Sequence, residues 1–287
     1  MTLYQLLQEG SEKLRLAGDA DAAEDARLLL FAAFDLDTVH FLLERMKELP
    51  DEDTVRQQIR KYREMTDRRC SRCPLQHIFG SQEFMGLEFY VNQHVLIPRQ
   101  DTETLVELVL EEQKDAAKKV LDLCTGSGCI AVSLAVKGGY ESITATDISE
   151  EALKIARRNV EAHGCADRIS LYQGDLFGAL AAMEGAVFDV ITSNPPYIPT
   201  AVIRTLEPEV REHEPMLALD GTEDGLLYYR RIASEAKRYL AEGGSLYLEI
   251  GHDQGEAARG IFQAEGYQDV RVCKDLPGND RVVCARR

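Results

Sequence analysis

No apolar run in this 287-residue chain approaches the ~18–20 residues that a membrane-spanning helix requires. Charges enter the opening stretch MTLYQLLQEG too soon for a secretory h-region, so a soluble protein without a secretory leader is expected. Basic residues are scarce. Thirty-three Lys and Arg stand against 49 Asp and Glu, a formal net charge of −16. Such a balance repels phosphate backbones and argues against a broad nucleic-acid-binding face. Most of the acidity falls beyond residue 75, and the first 75 residues are nearly balanced. A disulfide framework is also missing: seven cysteines is an odd number without small-scaffold spacing, which points to a reducing cytoplasm. Internal repeats and low-complexity tracts are absent too. What remains is ordinary globular material, 45% hydrophobic and 29% charged, able to bury a substantial core in two domains or one large one.

Residues 1–75 read as a small all-helical domain. Asp21 precedes Ala22, Ala23 and Glu24, an N-cap with an acid at the third helical position, and the apolar run Leu28–Phe34 follows. A second apolar stretch, Val39–Met46, stops near Pro50. Beyond Asp51, Val55, Ile59, Tyr62 and Met65 form one helical stripe. Residues 76–95 read as a hairpin linker, with Gly80, Gly86 and alternating apolar positions. From 96 to 287 strands alternate with helices, which implies βαβ units and a mostly parallel sheet covered on both faces. The strands are expected at 120–123, 142–147, 168–173, 187–193 and 245–250, and the helices at 101–114, 129–136, 150–163, 224–241 and 253–265. Two last strands, near 269–274 and 281–285, are joined by Pro277-Gly278-Asn279-Asp280, too short a link for a parallel crossover. The fold class is therefore α/β, a Rossmann-like domain ending in an antiparallel hairpin. That ending resembles the S-adenosylmethionine-dependent methyltransferases.

Three segments at strand ends carry the chemistry. Asp122-Leu123-Cys124-Thr125-Gly126-Ser127-Gly128 follows a strand and opens a helix, where glycines allow a tight turn and close approach to a ligand. Gly126-x-Gly128-x-x-Ala131 also satisfies the loose nicotinamide fingerprint. Asp147 closes the next strand, where a carboxylate can accept hydrogen bonds from both ribose hydroxyls of either kind of cofactor, while Ser149 is the natural cap of the helix that follows. Asp175, Leu176 and Phe177 close the third strand, an acid and apolar side chains suited to an adenine amino group and ring. The most specific segment is Asn194-Pro195-Pro196-Tyr197, at the C-terminal edge of the sheet. Its prolines hold a rigid loop. The Asn194 side-chain oxygen and the Pro195 carbonyl can accept both hydrogens of a planar –NH2 group, returning electron density to a poorly nucleophilic nitrogen, and Tyr197 can stack on the plane. Positioning and desolvation would then supply most of the acceleration of methyl transfer.

Nearly the whole chain resembles the glutamine-N5 methyltransferases that act on peptide chain release factors. The similarity lies in Pro74–Gly80, Val95–Arg99, Asn194–Tyr197, Glu214–Gly221, Leu248–Gly251 and Lys274–Arg281. It implies that Cys124, Thr125, Gly126, Ser127, Gly128, Asp147, Asp175, Leu176 and Asn194 bind S-adenosylmethionine, leaving S-adenosylhomocysteine as product. It also implies that Asn194, Pro195, Pro196 and Tyr197 hold the substrate glutamine, with Asn194, Pro195 and Tyr197 catalytic, and that release factors are the partners, with no direct nucleic acid and no membrane. Cys124 stands where the family has glycine and Gln100 where it has proline, so no role is carried onto Arg99 or Gln100.

Other features have simpler readings. Cys70-x-x-Cys73 with His77 lacks a fourth ligand of suitable spacing, so no metal is expected. Cys124 and Cys129 suit small apolar packing. Lys13, Arg15, Arg68, Arg69 and Arg72 read as solvated charge. Residues 198–222 form a long polar connection beside the Asn-Pro-Pro-Tyr loop, a candidate lid or binding segment. The helical domain, without a catalytic constellation, is assigned to substrate recognition. Two enzymatic alternatives fit the same loop: an adenine-N6 methyltransferase, disfavoured by the acidic charge, and a methyltransferase of a ribosomal-protein glutamine. A nicotinamide oxidoreductase or a non-catalytic cofactor-binding module would leave that loop unexplained.

Overall fold

The computed structural model describes residues 1–183 and 185–287. The chain forms two compact units, Met1–Gly80 with Glu207–His213, and Ser81–Leu206 with Glu214–Arg287.

The first unit contains α1 (Leu3–Leu16), α2 (Ala22–Phe34), α3 (Thr38–Glu44), α4 (Asp53–Cys70) and α5 (Leu75–Phe79). Thr2 and Gln5 exchange side-chain and backbone hydrogen bonds in a capping box that starts α1. Leu3, Leu6, Gly10 and Leu14 form its buried stripe. Gly10 is where α4 approaches most closely, because a Cβ there would lie 1.8 Å from the Tyr62 hydroxyl. The stripe expected on α4 does face the apolar core, with Tyr62 and Met65 buried and Val55 and Ile59 packed at its margin. Cys73 belongs to the same core, with Cys70 against it.

Two expectations for this unit are corrected. Asp21 makes no side-chain capping bond, since its ψ of 23° departs from the extended backbone of a functional cap, and Glu24 pairs instead with Arg27. Arg69 is not solvated. It is 8% exposed and pairs with Asp19 at 2.9 Å, Asp25 at 2.5 Å and Glu209 at 2.8 Å. Arg72 reaches Glu209 as well, at 2.8 Å. A charge on the apolar stripe of a helix is tolerated here because three carboxylates meet it.

The second unit opens with a hairpin, β1 (Ser81–Phe84) and β2 (Leu87–Tyr90). The stretch expected to be a linker, 76–95, is thus divided: 76–80 belong to the first unit and 81–95 to this one. Phe84 and Phe89 are buried in its core, and the Tyr90 N–H donates to Asn159 Oδ1 at 2.8 Å. Then come α6 (Gln100–Glu112), β3 (Lys119–Leu123), α7 (Cys129–Lys137), β4 (Ser142–Asp147), α8 (Glu150–Ala162), β5 (Ile169–Gln173), a 3₁₀ turn (Leu176–Leu180) and β6 (Phe188–Ser193). The polar connection holds three short helices, α9 (Thr200–Ile203), α10 (Pro208–His213) and α11 (Met216–Leu219), of which α10 lies in the segment grouped with the first unit. The chain ends with α12 (Leu227–Ala236), β7 (Leu240–Glu249), α13 (Gly255–Ala264), β8 (Gln268–Lys274) and β9 (Asp280–Arg286). The helix expected at 224–241 is shorter, and β7 starts early. Leu240 already pairs with Phe188, and the register shifts before Ser245 pairs with Val190, across Gly243 and Gly244.

The seven strands lie in the order β5-β4-β3-β6-β7-β9-β8, all parallel except β9, which is antiparallel to both neighbours. One face is covered by an apolar cluster that includes residues of α6 and α7, the other by one that includes α12 and α13. Strand order reverses between β3 and β6. Their C-terminal ends diverge there, and open α/β sheets bind ligands at such a point. Both principal motifs leave the sheet at that crevice.

Candidate active site

Asp122, fully buried in β3, accepts the Thr125 hydroxyl at 2.6 Å and the Thr192 hydroxyl at 2.8 Å. It ties the glycine-rich turn to the strand that leads into Asn194. Burial pushes its carboxyl up to about 7 against the pull of these two hydroxyls. The turn itself is tight. Cys124 has φ 56°, Gly126 φ 55° and Gly128 φ 81°. Cys124 is therefore a non-glycine residue at a left-handed position, which costs of order 1–3 kcal/mol. The Cys124 thiol is held up by burial first and the Asp147 charge second, and stays protonated. Gly128 caps α7, and a Cβ there would sit 3.3 Å from that of Ala156. Asn159 secures the same turn by donating to the Ser127 carbonyl at 2.8 Å, a support without a sequence signal.

At the end of β4, Asp147 Oδ2 accepts the Gly126 N–H and Oδ1 the Ser149 N–H, both at 2.9 Å. Ser149 caps α8 through Ala152, as its sequence position suggested. Each Asp147 oxygen keeps acceptor capacity for a ribose hydroxyl. Burial raises this carboxyl, and the backbone N–H groups of Ser149 and Gly126 lower it. Asp175 pairs with Arg231 at 2.8 Å. Leu176 enters the cleft wall at φ 50°, whereas Phe177 turns into the core and stacks on Tyr239, ring centres 4.9 Å apart.

The acceptor loop leaves β6 opposite. The Asn194 Nδ2 donates to Thr102 Oγ1 at 3.2 Å, which leaves its Oδ1 for the cleft. The Tyr197 hydroxyl donates to Glu249 Oε1 at 3.1 Å, and its carbonyl accepts from Gln254 Nε2 at 2.8 Å. Gly225, with φ 72°, passes so close that a Cβ would stand 2.3 Å from the Tyr197 carbonyl oxygen.

One cleft is walled by Cys124, Thr125, Gly126, Ser127, Asp147, Asp175, Leu176, Asn194 and Pro196. Gly128, Pro195 and Tyr197 are not part of that wall. The aromatic side chain on it is Tyr228, a position without a motif. Arg99 and Thr102 also face the cleft. Arg99 pairs at 2.5 Å with Glu214, whose side chain is 1% exposed. Glu249 could have been suspected from sequence as a lone acid inside the apolar run Leu246–Ile250.

A sheet that is parallel until its last hairpin, carrying these loops at its switch point, defines a Rossmann-like methyltransferase domain. Sequence comparison agrees, because the profile described as methyltransferase small domain matches residues 100–206 and that of the PrmC N-terminal domain matches residues 5–80. The release factor glutamine methyltransferase of Geobacter sulfurreducens is 45% identical over 92% of this chain and 90% of its own length. That of Clostridium botulinum is 38% identical over the full length of both. A methyltransferase structure from Pyrococcus furiosus, 19% identical, covers 77% of this chain and 98% of its own with a TM-score of 0.54, a likeness of fold. The chain belongs to the release factor glutamine methyltransferase family.

Proposed function

We propose that this enzyme methylates the side-chain amide nitrogen, N5, of the glutamine in the Gly-Gly-Gln motif of peptide chain release factors, using S-adenosylmethionine. The observation that carries the reading is Asn194, whose amide is held by its nitrogen so that its oxygen is left as an acceptor in the cleft. That cleft also contains Asp147, with a cradle of backbone N–H groups behind its carboxylate. The residues fit the cofactor: Asp147 would take the ribose hydroxyls, the Cys124–Gly128 backbone the turn around it, and Leu176 an apolar face. Among the described residues of the wall, Arg99 is paired with Glu214 and Asp175 with Arg231, which leaves Asp147 as the carboxylate without a cationic partner. This balance suits a cationic sulfonium cofactor and opposes the pyrophosphate of a nicotinamide dinucleotide.

When bound, S-adenosylmethionine supplies an electrophilic methyl group. Asn194 Oδ1 and the Pro195 carbonyl accept the two amide hydrogens of the glutamine, orient its nitrogen and oppose delocalisation of its lone pair. Pro195 and Pro196 keep these acceptors rigid, and Tyr228 shields the site from water. The nitrogen gains a methyl group and loses one proton to solvent. The helical unit is assigned to the release factor itself. It exposes Val39, Leu42, Leu43 and Met46 along α3 and the turn after it, and holds no convergent catalytic set.

The reading is tested by mass spectrometry of release factor incubated with the full-length enzyme and methyl-labelled S-adenosylmethionine. One methyl group on the Gly-Gly-Gln glutamine, lost on Gln→Ala replacement, is the expected result. Label in adenine-containing DNA without label in release factor would overturn it. A second expectation concerns the cofactor. Asp147→Ala removes hydrogen bonds to a charged acceptor worth about 1.5–3 kcal/mol, so affinity for S-adenosylmethionine should fall roughly 10–150-fold. The saturated rate should change far less. Unchanged affinity by calorimetry would remove Asp147 from the cofactor site.

A further inference from the structure

Cys273 and Cys284 lie on the last two strands, the edge strand β8 and its neighbour β9. Arg271 pairs with Cys284, and Cys273 with Val282, so Arg271, Cys273 and Cys284 share one face of the sheet. The two sulfurs are diagonal neighbours, 3.8 Å apart. Both are free thiols, Cys284 buried and Cys273 partly open to solvent. A disulfide would bring the sulfurs to about 2.05 Å. Rotation about the Cα–Cβ bonds supplies part of that approach, and β8 is free to supply the rest. It has a neighbour on one side only, and its ladder is interrupted between Gln268 and Arg271 and again between Cys273 and Lys274. Irregularities on both sides let the short segment between them shift without unpairing the hairpin.

Proximity brings two thiols together, and charge decides which of them reacts first. Across the ladder from Cys284, the Arg271 guanidinium is fixed by Glu112 of α6, which accepts from it at 2.5 and 2.6 Å. The hydrogen bond with Cys284 and then the Arg271 charge hold the Cys273 thiol below its ordinary range, against burial and the Glu112 charge. Cys284 is shifted the opposite way and keeps its proton. Burial pushes up the thiols of Cys70, Cys124, Cys129 and Cys165. One partly exposed sulfur thus stands beside a cation, with a second, protonated sulfur in contact behind it.

We propose that Cys273 is an oxidation site for hydroperoxides and that Cys284 is its resolving thiol, so that the pair closes to a reversible disulfide between β8 and β9. The Cys273 thiolate attacks one peroxide oxygen. The O–O bond breaks, a sulfenic acid forms on Cys273, and the departing alkoxide, or hydroxide from hydrogen peroxide, takes up the proton that Cys273 had released. The Cys284 sulfur then attacks the sulfenic sulfur. An S–S bond forms, the S–O bond breaks, and the hydroxyl leaves as water with the Cys284 proton. Two thiols are oxidised while one hydroperoxide is reduced to an alcohol and water. A dithiol reductant of the thioredoxin class reverses the bond by exchange. Without Cys284 the sulfenic acid would stay open to irreversible oxidation. The site is separate from the methyl-transfer cleft and does not depend on the reaction proposed above.

The test treats the reduced full-length enzyme with hydrogen peroxide, alkylates the remaining thiols and maps peptides by mass spectrometry without reductant. A Cys273–Cys284 disulfide peptide is expected, and dithiothreitol should return both thiols. Cys273 should be consumed about tenfold faster than Cys70, Cys124, Cys129 or Cys165. In Cys284→Ala, dimedone should trap a sulfenic acid on Cys273, and without dimedone the sulfinic acid should accumulate there. Consumption of Cys273 no faster than that of the other four would overturn the site. So would a sulfinic acid on Cys273 of the wild-type enzyme without the disulfide peptide, or a disulfide joining other cysteines. If Cys284→Ala fails to fold, the wild-type peptide map decides alone.

Discussion

Replacing Asn194 with alanine is expected to slow methyl transfer on the order of 10²–10³, the effect of losing one transition-state hydrogen bond worth about 2.7–4 kcal/mol. The loss should appear in turnover rather than in substrate affinity. Before transfer the glutamine amide is planar, and its hydrogens can be satisfied by water or by the Pro195 carbonyl. As the new bond forms, positive charge grows on nitrogen and its hydrogens become stronger donors, so the missing acceptor matters most at that moment. Cofactor affinity should move little, since Asp147 and the glycine-rich turn lie across the crevice on β4 and β3. Single-turnover kinetics with saturating labelled S-adenosylmethionine measure this directly. A variant with unchanged turnover would remove Asn194 from the reacting centre.

Arg69→Met should destabilise the helical unit by about 3–5 kcal/mol, the range found when one partner of a buried ion pair is removed. Methionine matches much of the arginine stem in volume, so the loss reports charge and not a cavity. In the native unit the guanidinium meets Asp19, Asp25 and Glu209. Burial raises the Asp25 carboxyl and Arg69 lowers it. Without Arg69 the acids repel one another in a poorly hydrated place, and the folded-state pKa of Asp25 rises further. A raised carboxyl pKa means stability that is present at low pH and lost as pH rises through it. The penalty should therefore be larger at pH 8 than at pH 5. Urea unfolding of wild type and variant at both pH values, followed by circular dichroism, would show it. Equal midpoints at pH 8 would mean that the cluster contributes nothing. Addition of Asp25→Asn to Arg69→Met should recover part of the loss by deleting one of the stranded charges.

Both predictions begin from residues whose sequence legibility differed sharply. Asn194 stood out because two prolines after an apolar strand form a rare local pattern whose chemistry is carried by neighbouring residues. Arg69 did not. Near the end of α4 it lies between Arg68 and Arg72, and nothing local separates a buried arginine from a solvated one. Its carboxylate partners come from α2, from the turn before it and from Glu209, 140 residues away. Tyr197 was legible only in part. A tyrosine beside the acceptor asparagine was expected to stack on the substrate, yet its hydroxyl is bound to Glu249 and the cleft wall presents Tyr228.

What the chain specified by itself was whatever depends on spacing over a few residues. The alternation of strands and helices, the reversed final hairpin, the glycine-rich turn and the carboxylate closing β4 all follow from backbone geometry and burial period, which neighbouring residues impose on one another. Tertiary structure alone decided which way the Asn194 amide faces, which arginine is buried and which aromatic side chain walls the cleft. Each of these depends on hydrogen bonds or ion pairs between distant segments, as with Asn194 and Thr102, 92 residues apart.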